Sequence, residues 1–231
     1  MSVSPTKHST SRRGFIETVA AGAAVIGLSG LVNPLESQAQ EQKAMQGSAD
    51  AWFDKIKGKH RMVFDVTKPM GMLPFAWPRV FLMTNQKTGT EEKDVSAVVI
   101  LRHDGIPFAM SDPLWQKYKF GELFKVEEGP TKAPAVKNAF WQPKEGTYKV
   151  PGIGPVAIGI NELQQSGVMF GVCDVALTVF STVAAENTKQ KPEDVKKEWV
   201  AGLLPGIQIM PSGVWAINRA QEHGCSYCFV G

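Results

Sequence analysis

The stretch Val95 to Leu101, Val-Ser-Ala-Val-Val-Ile-Leu, constrains the fold more than any other part of this chain. Its near-continuous apolar character is that of a strand covered on both faces, as in the parallel sheets of α/β proteins. Parallel neighbours need crossover connections, so helical patterns should alternate with strand patterns along the chain. Strands are expected at Arg61 to Val66, Val95 to Leu101, Val168 to Val172, Ile207 to Met210 and Tyr227 to Val230. Helices are expected around Pro78 to Asn85, from the Ser111-Asp112-Pro113 cap through Leu114, Trp115 and Tyr118, over Ile160 to Gln165, over Val175 to Glu186, after Pro192, and after Ser212. The pattern predicts an α/β fold with a parallel, doubly wound sheet of the flavodoxin or Rossmann kind.

This pattern accounts for residues 60–231, with a Pro- and Gly-rich insertion near residues 127–159 that reads as a long loop. Residues 40–59, with Trp52, Phe53 and Ile56 at helical spacing, read as a lead-in helix that ends at Gly58 and packs on the domain. Residues 1–39 are compositionally separate. Ser11-Arg12-Arg13-Gly14-Phe15-Ile16 precedes an uncharged, Ala- and Gly-rich run from Val19 to Val32, and Ser37-Gln38-Ala39 offers a small-residue cleavage site. That is the pattern of a twin-arginine export signal, with Arg12 and Arg13 as its signature. The apolar run is shorter than the roughly 20 residues needed to span a bilayer, so membrane attachment is expected only if the signal stays uncleaved. Cleavage after Ala39 removes three cations (Lys7, Arg12, Arg13) and two anions (Glu17, Glu36), turning the +3 of the whole chain into +2. The expected partner is the twin-arginine export machinery, and the expected place of work is the periplasm. A charge this near zero gives no electrostatic reason to expect nucleic acid.

Export to an oxidising compartment gives each of the three cysteines weight. Cys173 follows the strand Val168 to Val172 and precedes the helix that begins near Asp174, at the end of the sheet where open α/β folds bind ligands. Free N–H groups and the helix dipole there favour an anionic sulfur, and Asp174 opposes them. The competing reading is a small buried hydrophobe. Cys225 and Cys228 form a C-x-x-C preceded by His223, which could be a redox pair, half of a metal site, or two separate thiols. In a continuous strand the two face opposite sides, so a disulfide requires a turn at Gly224 to Tyr227. The metal candidates are Cys173, His223, Cys225 and Cys228. His103, closing the strand Val95 to Leu101 in Arg102-His103-Asp104-Gly105, could orient a ligand or a neighbouring thiol. Met62, Met70, Met72 and Met83 read as core rather than as soft-metal ligands. No phosphate loop, dinucleotide fingerprint, serine nucleophile elbow or H-E-x-x-H occurs, so no cofactor is indicated and hydrolase and dehydrogenase chemistry rank low.

The order strand, Cys173, helix, Leu204-Pro205-Gly206-Ile207, Met210-Pro211-Ser212-Gly213-Val214, Asn218-Arg219-Ala220-Gln221-Glu222-His223-Gly224, Tyr227 resembles the DsrE/DsrF-like family of sulfur-relay and intracellular sulfur-oxidation proteins. The resemblance covers residues 160–231 best and extends faintly to residues 60–110, where His103 and Gly105 are similar to a strand-ending pattern of exported members. It implies a small parallel-sheet domain and a homo-oligomer, trimer or hexamer. It also implies a persulfide-accepting role for Cys173, the one residue carried over from the family; the leading expectation is thiol or sulfur chemistry at Cys173 with His103 assisting and Cys225 and Cys228 in secondary roles. The export signal, the insertion and the terminal C-x-x-C depart from the family pattern. Two alternatives stay open: a periplasmic module that binds a ligand or metal without turnover, and a thiol redox protein using Cys225 and Cys228.

Overall fold

In the computed structural model, which describes residues 49–231, the apolar stretch after Asp94 is a seven-residue strand at the centre of a five-stranded sheet. The sheet strands are β1 (His60–Val66), β2 (Val95–Leu101), β3 (Met169–Cys173), β4 (Ile207–Met210) and β5 (Ser226–Val230). They lie in the order β4-β3-β2-β1-β5, and every neighbouring pair is parallel. The long helices are α1 (Leu73–Lys87), α2 (Asp174–Thr188), α3 (Pro192–Ala201) and α4 (Gly213–Glu222). The expected α/β class and parallel doubly wound sheet are therefore found.

Alternation along each strand feeds two cores. On one face Phe64, Val66, Val99, Leu101, Phe170 and Val172 pack with residues of α1, α2 and α3. On the other, Val63, Val98, Ile100 and Met210 pack with Ala216 and Ala220 of α4 and with Trp52, Phe53 and Ile56. Residues 49–53 are helical, so the part of the lead-in that is described does pack on the sheet; residues 40–48 and the export signal, with Arg12 and Arg13, lie outside the described residues. Gly58 then turns the chain into β1 at φ +80°, with the Asp94 backbone so close that a side chain there would collide.

The first helix differs from its expectation at one end. It starts at Leu73, five residues before Pro78, because Pro74 occupies its first turn, where a missing N–H costs nothing; Pro78 is accommodated inside it. Between β2 and β3 the chain is less open than a loop. It includes helical turns at His103–Ala109, Asp112–Lys117 and Phe120–Leu123 and two short antiparallel hairpins, Glu127–Glu128 with Ala133–Pro134 and Lys149–Val150 with Gly154–Pro155. Asn138, 2% exposed, pins this crossover to the domain: its amide donates to the carbonyls of Phe108 (2.8 Å) and Met110 (3.2 Å), and its Oδ1 accepts from the Phe140 N–H.

Candidate functional site

The chain leaves β3 toward one face and β4 toward the other. Ala176 and Leu177 of α2 belong to the first core, and Ala216 and Ala220 of α4 belong to the second. Successive connections thus leave opposite faces at the carboxyl ends of β3 and β4, on the edge of the sheet where open α/β folds bind ligands, while the strand order itself reverses between β1 and β5. Cys173 lies on this carboxyl edge, paired in register with Met210. It ends β3 and caps α2, its Sγ accepting the Ala176 N–H at 3.3 Å. The residue is buried, 6% exposed.

A row of polar side chains runs toward this cysteine along the carboxyl edge. Asp65, 1% exposed, lies in β1 between Phe64 and Val66. A buried carboxylate needs partners, and it has two. Arg102 donates from Nε and a terminal guanidinium nitrogen to the two carboxylate oxygens, at 2.6 and 2.8 Å, and the Tyr227 hydroxyl donates to Oδ2 at 2.8 Å. The hydrogen bonds to Asp65 raise the Arg102 pKa against the opposing effect of burial, and the negative charge of Asp65 acts in the same raising direction. Burial, with the hydrogen bond to Asp65 next, raises that of Tyr227. The register Leu101↔Val172 brings Arg102, the residue after β2, and Cys173, the last residue of β3, to the same end of adjoining strands. Gly213, the first residue of α4, lets the Arg102 stem lie against the helix start, since a Cβ there would stand 2.5 Å from the arginine Cβ. On the other side of Cys173, both oxygens of Asp174 are held by Lys196 at 2.9 Å, so the acidic neighbour expected to oppose an anionic sulfur is itself paired.

His103 reaches the same edge and turns toward the opposite face. Its φ is +51°, its ring is edge-on to Phe180 of α2 at 5.9 Å, and its Nδ1 lies 3.3 Å from Asp104. The C-terminal candidates lie elsewhere. Cys228 is in register with Phe64 and packs against the first core, three strands and about 14 Å from β3. Cys225 precedes β5 in the second core, and His223 ends α4 about 15 Å along the helix from its start, beside Phe53. The structure does not bring Cys173, His223, Cys225 and Cys228 together: the first lies at the carboxyl edge of the sheet and His223 and Cys225 at the amino edge. The three thiols are free, and among the described residues no group of three or more His, Cys, Asp and Glu could hold a metal ion. The C-x-x-C takes the arrangement of two separate thiols on opposite faces. Burial pushes Cys225 up to about 11, with Arg61 opposing, and also raises Cys228.

Asp65, Arg102, Tyr227 and Lys196 were not among the sequence candidates. A lone Asp inside the apolar Met62 to Val66 run was the available signal, since a charge in a doubly covered strand requires a partner. Away from this edge, a cavity of about 600 Å³ opens beneath the crossover, with Met72, Phe108, Trp115, Phe140 and Tyr148 in its wall.

No family model matches the chain, and no curated protein matches it. Among solved structures it is similar to the protein of unknown function MTH1491 from Methanobacterium thermoautotrophicum, with 17% identity and a TM-score of 0.34 over 74% of this chain and 100% of that one.

Proposed function

We propose that the domain is a thiol-based sulfur acceptor in which Cys173 takes up a sulfane sulfur and passes it to a second thiol. The observation that carries this reading is the position of Cys173 at the carboxyl end of β3, with its sulfur on the α2 N-terminus and Arg102 at the same end of the adjoining strand. The Cys173 thiolate attacks the outer sulfur of a donor R–S–S⁻; the new bond forms on Cys173 as the donor's S–S bond breaks, and the electron pair leaves on R–S⁻. Attack by an acceptor thiolate on the outer sulfur of the Cys173 persulfide repeats the step in the forward direction. Helix N-terminal N–H groups and a guanidinium stabilise negative sulfur at each stage. In this reading the Arg12-Arg13 signal exports the folded domain, which works as a DsrE-like homo-oligomer in the periplasm, and His103 borders the site. Peptide-level mass spectrometry after exposure to a low-molecular-weight persulfide tests it. One added sulfur atom on the Cys173 peptide is expected, and unmodified Cys173 alongside modified Cys228 would overturn it.

The cavity beneath the crossover favours a second reading, a binding module without turnover, because its volume lies in the range of small-molecule sites and its wall sets the aromatic rings of Phe108, Trp115, Phe140 and Tyr148 beside charged side chains such as Lys125 and Glu127. Native mass spectrometry of protein purified from the periplasm separates the two: a retained small molecule supports binding, and a persulfide mass on Cys173 supports sulfur uptake.

A further inference from the structure

We infer that Arg102 makes the Cys173 site selective for small anionic sulfur donors, with Asp65 and Tyr227 acting as positioning residues that fix its guanidinium. The inference rests on the reading of Cys173 as a sulfur acceptor and adds the class of donor.

Three observations carry it. First, an arginine has five N–H donors in a fixed fork, and among the described residues two of them are committed, both to Asp65. Second, the pair is oriented. The Asp65 side chain is 2% exposed and that of Arg102 26%, so the carboxylate is the inner pole and the guanidinium the outer one. Tyr227 holds the same carboxylate from β5 and Gly213 lets the arginine stem seat against α4, which fixes the dipole before any ligand arrives. Third, the anion that would repel a negative donor, Asp174, is neutralised by Lys196. A donor that reaches the sulfur thus meets an immobilised cation, and the burial of Cys173 excludes bulky donors.

Thiosulfate illustrates the balanced step. The Cys173 thiolate attacks the outer sulfur of thiosulfate, a Cys173 S–S bond forms, the thiosulfate S–S bond breaks, and its electron pair departs with sulfite. The charge of minus three is conserved, as a persulfide anion and a sulfite dianion. Arg102 faces negative charge in donor and leaving group alike.

The test compares two methanethiosulfonates of equal length, one carrying a sulfonate and one a trimethylammonium group, with peptide-level mass spectrometry of Cys173 in the full chain. Each rate is divided by that for a free small thiol. Wild type should favour the anionic reagent, and the neutral double variant Asp65→Asn/Arg102→Gln should lose about tenfold of that preference, the scale of one hydrogen bond to a charged group. Arg102→Lys, which keeps a cation opposite Asp65, should retain an intermediate preference, a rescue that a purely structural role would not produce. Equal preference in all three proteins, or no modification of Cys173 by either reagent, overturns the inference. Thiosulfate exposure is read separately. An anionic preference without sulfur transfer to Cys173 leaves the charge selectivity standing and removes the acceptor reading.

Discussion

Arg102 closes a two-point hydrogen-bonded pair with Asp65 across the β1–β2 boundary, at 2.6 and 2.8 Å. The pair draws a buried charge out of the apolar centre of β1 and presents the compensating charge at the edge where Cys173 lies. A buried ion pair is weak evidence of net stability, because desolvation offsets most of the attraction. Breaking it from one side is another matter. Arg102→Gln alone leaves Asp65 uncompensated and is expected to cost about 3–5 kcal/mol in urea denaturation, whereas Asp65→Asn/Arg102→Gln, which removes both charges, should cost far less. A single variant as stable as the double variant would mean that Asp65 does not depend on the guanidinium.

Cys173 has two roles that substitution separates. Its sulfur caps α2, and serine is a preferred capping residue, so Cys173→Ser should retain stability to within about 0.5 kcal/mol while losing sulfur uptake altogether. Cys173→Ala removes the acceptor of the Ala176 N–H and should cost about 1 kcal/mol. Denaturant midpoints read the first effect and persulfide loading the second. Cys173→Ser that unfolds like Cys173→Ala would show that the cap contributes little.

The architecture was legible because hydrophobic pattern and punctuation agreed in most segments. Val95 to Leu101, Ile160 to Gln165 and Ile207 to Met210 match the structure at both ends, and Ser212 caps α4 as its position suggested, accepting the Trp215 N–H. The crossover was less legible: its hairpins are two residues per strand and its anchor is a single buried Asn138, and neither leaves a periodic trace. Within the site, Cys173 was readable from local order, since a strand-to-helix junction is a one-dimensional signal. Its partners were not. Asp65, Arg102 and Tyr227 come from three strands, and their convergence depends on a strand order that places β5 beside β1. The same order separates Cys228 from Cys173, which proximity in sequence to other motifs could not reveal.

Cys225 makes the fold sensitive to base. Burial in the second core raises its pKa from 9.0 to about 11, with Arg61 acting the other way. The folded state therefore holds this proton more tightly than the unfolded chain. The stability gained from burying the neutral thiol is fully present below pH 9 and is lost as pH rises toward 11, because unfolding then releases a proton. Cys228, also raised from 9.0 by burial, and Tyr148, raised from 10.0 to about 12 mainly by burial, add losses of the same sign, so the Cys225 contribution is the difference between wild type and a variant that lacks this thiol. Urea midpoints measured from pH 8 to 10 should fall in wild type and fall less steeply in Cys225→Ala. A parallel decline in the two proteins would assign the base sensitivity to another group and place the Cys225 sulfur in contact with water.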